Sequence, residues 1–422
     1  MDETEDEGVP FERVAAIDIG KAEVTVCVRT PLKPGGRRRR GVVRTFATFT
    51  RDLLAMSDWL RCEQVQVVGM EATSDYWKPV FYLLEAEGHQ CWLLNAKHVK
   101  NSPGRPKTDR LDSQWLARVV ERGMCAPSLV QPKPIRELRD LTRYRRSLCR
   151  EATREKQRVE KLLEDAGIKL SVVASDIFGV SGREIMQALI DGQRNPRLLA
   201  EMAKGTLRRK HDSLVESLTG FFGDHHGFLL RRMLDHIDAL EADIAALDAR
   251  IEEAIAPFAD RVAQLDEIPG VGIIAARELV AEIGVDMSRF PTPGHLAAWA
   301  KFAPIAHSSA GRGGANTTGK GNAWLAATLG EVVASLSRTD TFLGARYRRI
   351  RKRRGTRRAI VAVGNSVLHV VYQLLSAEPT THFHDHGSSY YDSHINKERR
   401  QRSLIRQLEQ LTGKKVDLHP AA

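Results

Sequence analysis

Two aspartates three residues apart, Asp109 and Asp112, open an apparent helix in the stretch KTDRLDSQWLA, Lys107 to Ala117. The loop ahead of it, NAKHVKNSPGRPKTD, is rich in Lys, Arg, Gly and Pro. Two readings fit these residues. Asp109 as N-cap and Asp112 as an acidic N3 residue would both be favoured at the positive end of the helix dipole. Alternatively the pair, on one helical face, is half of a metal site. Asp18 bears on the choice: it sits within the apolar run VAAIDIG, where a carboxylate is costly to bury unless a metal, a cation or a capped turn stabilises it. Glu71 holds the matching position at the end of another apolar run, VQVVGMEAT. In a mixed sheet such strand-end carboxylates converge on one edge, and with Asp109 and Asp112 four can share a pocket. Four like charges raise one another's pKa unless divalent cations neutralise them. Asp and Glu oxygens suit Mg²⁺ or Mn²⁺, and a pair of such ions clamps the oxygens of a phosphoryl transfer.

The elements that must position these residues read as follows. RVAAIDIG is a buried strand, and EVTVCVRT alternates Val24, Val26 and Val28 after a tight turn at Gly20. GVVRTFATF closes a three-strand meander from which the PGGRRRR turn projects. A helix over Arg51–Leu60, the strand VQVVGM, a helix over Trp77–Ala86, the strand HQCWLL and the helix from Asp109 complete a mixed sheet covered by helices. From Pro132 to Ala256 the pattern is helical. Leu230, Met233, Ile237, Leu240, Ile244, Leu247 and Ile251 form a heptad seam, with a weaker one over Leu138–Leu163. An antiparallel pair within the chain and a dimeric coiled coil both fit. The polar segment Gly179–Gly227 between the seams reads as an insertion of short helices. Next, LDEIPGVGIIAARELVAEIG places a Pro-Gly-x-Gly turn before a helix. It reads equally as an ordinary turn or as a helix–hairpin–helix unit whose Gly270 and Gly272 amides meet a phosphate. A polar loop, HSSAGRGGANTTGKGN, and the helix AWLAATLGEVVASL follow, and the tail after Glu378 is expected to be loosely ordered.

Of 422 residues, 42% are hydrophobic and 28% charged, which describes a globular protein of two or three domains with no apolar run expected to span a membrane. The first residues, MDETEDEG, resemble neither a signal nor a transit peptide, and the five cysteines contain no CxxC pair, so zinc and a disulfide framework are disfavoured. A reducing cytoplasm fits. The net charge of +11 is clustered: RYRRIRKRRGTRR, Arg346 to Arg358, holds nine Lys/Arg in thirteen residues, and RRRR fills Arg37–Arg40. Such blocks are either a solvated basic face or a surface for a polyanion, and nucleic acid is the leading partner. GANTTGKG is no phosphate-binding P-loop, because Gly321 replaces the Ser/Thr that would hold Mg²⁺ and no strand precedes it.

AIDIGK, GMEAT and KTDRLD, on this order of elements, resemble the acidic positions of a RuvC-like, ribonuclease-H-fold domain. The chain is similar to the DEDD-type insertion-sequence transposases, the family that includes bridge-RNA-guided recombinases. That resemblance implies that Asp18, Glu71, Asp109 and Asp112 are a metal-binding tetrad for Mg²⁺ or Mn²⁺. In the C-terminal half, IPGVG, RFPTPGHLAAWAKFAPIAHSSAGRGG and TGKGNAWLAATL resemble the second transposase domain of the same family. There a serine ahead of a glycine pair is the nucleophile, which implies Ser309, although this sequence reads Ser309-Ala310-Gly311 and Ser308 is adjacent. The implied activity is DNA recombination through a phosphoserine intermediate, in a homodimer or tetramer whose composite site joins the acidic domain of one protomer to the serine domain of another. Implied partners are element-end DNA, target DNA and a structured guide RNA, in a bacterial or archaeal cytoplasm close to the nucleoid.

The expected organisation is a RuvC-like domain over residues 1–127, a helical coiled-coil linker with an insertion over 128–258, a mainly helical transposase domain over 259–377 and a flexible tail over 378–422. Residues expected at nucleic acid are Arg37, Arg38, Arg39, Arg40, Lys107, Gly270, Gly272, Arg312, Lys320, Arg351, Lys352, Arg353 and Arg354. Two other readings are a water-using metal-dependent nuclease or junction resolvase, and a non-catalytic nucleic-acid scaffold in which the carboxylates are caps and ion-pair partners.

Overall fold

A computed structural model describes residues 10–33, 38–72, 74–95, 108–304, 308–309, 312–313, 318–390 and 397–416, with the backbone alone at 308–309, 312–313 and 397–400. The chain divides into two compact units, Met1–Gln131 and Pro132–Ala422. The segments 132–258 and 259–377 therefore belong to one unit.

In the first unit, β1 (Val14–Ile19), β2 (Glu23–Pro31) and β3 (Arg39–Ala47) form the antiparallel meander. Helix α1 (Thr50–Cys62) leads to β4 (Val67–Glu71), which pairs parallel with β1. Helix α2 (Trp77–Ala86) leads to β5 (Cys91–Leu94), parallel with β4, and α3 (Asp109–Glu121) ends the unit's helices. The sheet order β3-β2-β1-β4-β5 is the ribonuclease-H-like one. Both faces of the central strands are covered, which explains why β1 reads as a continuous apolar run. On one face Ile17, Val26 and Met70 pack against Met56 and Leu60 of α1 and Phe81 and Leu84 of α2. On the other, Val14, Ala16 and Val67 pack against Leu116, Ala117 and Val120 of α3.

The last turn of α3 is fastened by charge. Glu121, 3% exposed, lies 3.0 Å from Arg29 Nη2 of β2 and 3.1 Å from Arg39 Nε of β3. Arg39, expected at nucleic acid, is thus a structural ion-pair residue on the sheet: strand geometry turns its side chain toward α3.

The second unit is mainly helical. Helix α4 (Lys133–Asp165) is followed by α5 (Leu170–Val173), α6 (Val180–Ile190), α7 (Pro196–Glu201) and α8 (His211–Ser217), and the chain returns along α9 (Asp224–Ile255). Lys156 pairs with Glu241 at 2.7 Å and Arg145 with Asp248 at 2.5 Å, so α4 and α9 run antiparallel. Of the two readings of the heptad seam, the pair within the chain is the one observed. Leu240, with Ile244 and Leu247, packs on Leu148 and Ala152 of α4, while Leu230 and Ile237 enter the core of the short helices. Within the chain the seam is covered along its length by α4 and the short helices, with Met233, Ile244 and Leu247 partly buried. The segment read as a polar insertion has a core of its own, built on Ile185, Met186, Leu189, Leu199 and Leu214.

Helices α10 (Ala259–Asp266), α11 (Ile273–Ile283) and α12 (Pro293–Trp299) precede the two-residue ladder of β6 (Ser308–Ser309) and β7 (Arg312–Gly313). Then come α13 (Ala323–Leu336), α14 (Phe342–Arg354), α15 (Thr356–Ser376) and α16 (Lys397–Thr412). By length and composition α15 could cross a membrane, which corrects the expectation that no apolar stretch is that long. Its Val363, Val367, Leu368 and Val371 are buried within this unit. The described residues just after Glu378 are tied to this unit. Glu267 accepts from His382 Nδ1 at 2.6 Å and from the Phe383 amide at 2.8 Å, and Asp385 accepts from the Phe342 amide at 3.1 Å.

Arginines of α4 enter this core. Arg146 donates to Glu278 of α11 at 2.5 Å and to Thr328 of α13 at 3.0 Å. Burial raises the Glu278 carboxyl above its usual pKa, while the Thr328 hydroxyl and Arg146 act in the opposite direction.

Removing the charge of Glu121 would leave Arg29 and Arg39 facing a neutral, buried group. Glu121→Gln is expected to destabilise the first unit by about 3 kcal/mol, the low end for a broken buried pair because both arginines keep an edge in water. Arg40→Gln, on the exposed side of β3, should change stability by less than about 0.5 kcal/mol. Urea denaturation of the two variants checks the contrast.

Candidate active site

Alternation along the strands decides where the carboxylates go. Val14 and Ala16 face α3, so Asp18, two residues on, points to the same side. Val67 faces α3 as well, and parity puts Gly69 and Glu71 there with it. The parallel register sets Ile17 beside Met70, and one step further brings Asp18 level with Glu71 at the ends of neighbouring strands.

On α3 the spacing Asp109, Asp112, Leu116, Val120 follows a single stripe. Its C-terminal part packs on the sheet, and its N-terminal part carries the two aspartates. Gly69 allows this approach: a Cβ there would lie 2.3 Å from Val120 Cγ2. The capping assignment changes. Thr108 is the N-cap, its Oγ1 accepting from the Leu111 amide at 3.3 Å, so Asp109 is the first helical residue and Asp112 the fourth. Both acids still lie in the first turn, where the dipole favours them.

Asp18 is half-buried, and its pKa is pushed up from 3.8 to about 6. Burial is the largest cause, followed by the charges of Asp109, Asp112 and Glu71, while a backbone hydrogen bond from Ile19 pulls the other way. The four acids singled out in the sequence therefore act electrostatically on one point. Among the described residues no three His, Cys, Asp or Glu side chains stand in a finished ligand arrangement. Their chemistry fits a hard divalent cation, and Asp18, Glu71, Asp109 and Asp112 are the residues that would hold it.

In the second unit, the backbone of Ser309 pairs with that of Arg312 in the small ladder. The side chains of both, and Arg37 and Lys107 entirely, lie outside the described residues. Lys320, Arg38 and Arg40 are exposed. At Gly270 a Cβ would lie 2.8 Å from Ser335 Oγ and 2.9 Å from Val332 O, so the Cα side of this glycine packs on α13. Gly272, the N-cap of α11, is exposed.

Arg351, Lys352, Arg353 and Arg354 are exposed in the last turn of α14, where cations complement the helix dipole. Gly355, at φ 82°, turns the chain directly into α15, which adds the exposed Arg357 and Arg358 to the same corner. The sequence shortlist omitted those two, although Gly355 within the basic run is the signal of a corner. Arg348, earlier in the run, donates instead to Thr339 O at 2.6 Å.

Comparison with known proteins agrees with this arrangement. A DEDD transposase model of the IS110 type, described as "Transposase", matches residues 15–168, and the "Transposase IS116/IS110/IS902 family" model matches residues 262–348. The first match contains all four acids and the second contains Ser309. A "Probable family 20 transposase" of Pseudomonas aeruginosa is 30% identical over 157 residues, which cover 36% of this chain and only 46% of that relative. The "Transposase for insertion sequence element IS1111A" of Coxiella burnetii is 24% identical over 333 residues, covering 75% of this chain and 79% of that protein. With a DEDD domain at one end and the second transposase domain at the other, the chain belongs to the IS110 family of transposases.

Proposed function

We propose that this protein cuts and rejoins the DNA of an insertion sequence through Ser309, with Asp18, Glu71, Asp109 and Asp112 as its metal-binding tetrad and a structured RNA as guide. The observation that carries this reading is the placement of Asp18 and Glu71 level with each other at the ends of neighbouring strands, on the face covered by the α3 stripe that begins with Asp109 and Asp112.

The Ser309 hydroxyl oxygen would attack a backbone phosphorus as its proton leaves to a base. One P–O ester bond breaks, leaving one DNA end as a phosphoserine ester and the other as a hydroxyl. Attack by the hydroxyl of the exchanged strand then releases the serine and restores a phosphodiester. Each ester bond broken is replaced by another, so no nucleotide hydrolysis is required. Asp18, Glu71, Asp109 and Asp112 would hold a divalent cation, which would supply Lewis-acid stabilisation of the developing negative charge. The chain's own contribution is to hold the four carboxylates close to one another. The exposed corner from Arg351 to Arg358 and the exposed Arg38, Arg40 and Lys320 supply cations for DNA or RNA phosphates. The guide RNA and assembly into a dimer or tetramer rest on the family likeness. The substrate places the protein at the nucleoid.

Three outcomes test this reading. On a denaturing gel with labelled element-end DNA, Mg²⁺ and co-expressed element RNA, a protein–DNA adduct is expected that disappears with Ser309→Ala and with Asp109→Asn but survives Ser308→Ala. Cleavage without any adduct, indifferent to Ser309→Ala, would make the enzyme a water-using nuclease.

The second concerns pH. The folded Asp18 holds its proton to about pH 6, against 3.8 for the ordinary side chain. Metal-free protein therefore loses stability as pH rises between those values and stays at the lower level above them. Asp18→Asn should flatten that slope and raise the metal-free Tm at pH 7.5. It should also abolish the Tm increase that Mg²⁺ gives the wild type, an increase that fades as pH falls through 6. Thermal melts with and without Mg²⁺ decide it.

Thirdly, changing Arg351, Arg353, Arg354 and Arg357 to Gln should reduce the slope of log K against log salt by up to about 3.6 for duplex DNA, or about 0.9 per phosphate contact. An unaltered slope removes the corner from the interface.

A further inference from the structure

The loop that carries Ser309 has a neck, and the neck is fixed by groups far from it in sequence. We propose that Asn322, held by Glu282 and Arg143, is a positioning residue that sets the serine loop for strand transfer. The inference rests on the reading of Ser309 as nucleophile.

The chain enters the loop at Ala300–Phe302 and leaves it at Gly321–Asn322. These two points touch: a Cβ on Gly321 would lie 2.7 Å from Ala300 O and 3.0 Å from Lys301 Cβ. Lys301 itself has φ 62°, a left-handed conformation that a lysine adopts only when its surroundings impose it. Phe302 is gripped from α15, where Asn365 Nδ2 donates to its carbonyl at 3.2 Å and a Cβ on Gly364 would lie 2.5 Å from its ring.

Asn322 fastens the outgoing side with both ends of its amide. Its Oδ1 accepts from the Trp324 and Leu325 amides at 3.0 and 3.3 Å, which caps α13. Its Nδ2 donates to Glu282 Oε2 at 2.5 Å. Glu282 is 2% exposed and receives a two-pronged grip from Arg143, at 2.7 and 2.8 Å. Arg139 binds the backbone carbonyls of Ala281 and Glu282 at 3.0 and 3.1 Å. Trp324, two residues after Asn322, lies under the guanidinium groups of Arg143 and Arg150 at 5.7 and 5.2 Å.

A cap alone does not require this. Ser, Thr and Asp cap helices as well as Asn does, because only an acceptor is needed. A buried carboxylate with an arginine is also no efficient source of stability, since desolvation offsets much of the attraction. What the extra donor of Asn322 adds is a fixed distance between the root of the loop and α11. Nucleophilic attack is sensitive to that kind of placement, about a hundredfold in rate for an error near 1 Å.

The test separates capping from positioning. Asn322→Ser keeps the acceptor and lacks the donor, while Asn322→Asp keeps the acceptor and sets a carboxylate against Glu282. Adduct formation at saturating DNA is expected to slow by about tenfold or more in both. DNA binding should stay near wild type in both. Tm should stay near wild type in Asn322→Ser and fall in Asn322→Asp, where two carboxylates meet in a buried site. Trypsin should cut faster after the exposed Lys320. Adding Glu282→Gln to Asn322→Asp exchanges amide and carboxylate and should recover part of the rate. Unchanged adduct rates in both single variants would overturn the proposal and leave Asn322 as a cap. A wild type without a Ser309-dependent adduct would instead remove the reading beneath it, and Lys320 cleavage would then decide alone whether the link fixes the loop.

Discussion

The depth to which α3 can settle on the sheet governs the acidic site. Val120 meets β4 where Gly69 has no side chain, and any larger residue there would lift the helix. Because Asp109, Asp112, Leu116 and Val120 share one stripe, lifting Val120 also lifts the aspartates away from Asp18 and Glu71. At the other end Glu121 pins the helix to Arg29 and Arg39. A dry contact and a buried charge thus fix the same helix at its C-terminal end, so the first turn can approach two like-charged strand ends. The repulsion gathered there is the counterpart of that firm anchoring, and it creates an affinity for cations that no single carboxylate would have.

Much of this was legible in the sequence, and the limits have physical causes. Asp18 stood out because an acid in an apolar run must be stabilised by something, but its face followed only once Val14 and Ala16 were seen to pack on α3. Asp109 was misassigned as the N-cap because Asp and Thr serve equally well there, and only the backbone conformation of Thr108 separates them. Arg39 was misjudged because a count of charges says nothing of strand parity. The close packing of Gly270 on α13 had no local signal, because that helix lies more than sixty residues further along the chain.

The heptad seam shows another kind of limit. Periodicity reveals that an apolar stripe exists and leaves open what covers it. Here the cover is α4, reinforced by the ion pairs from Arg145 and Lys156. The trio of Arg143, Glu282 and Asn322 left no local signal, because its members are separated by 139 and 40 residues. Interactions between such distant positions become visible only after the helices are packed.

Helix α4 spans 33 residues, about 50 Å at 1.5 Å per residue. Its first turns carry Arg139, Arg143 and Arg146, which fasten it to α11 and α13, while its far end belongs to the core of the short helices. Mechanically it is a lever arm with its fulcrum at Glu282. Displacement of the distal bundle by a bound macromolecule would arrive at the root of the serine loop as a rotation, without a hinge between them to absorb it.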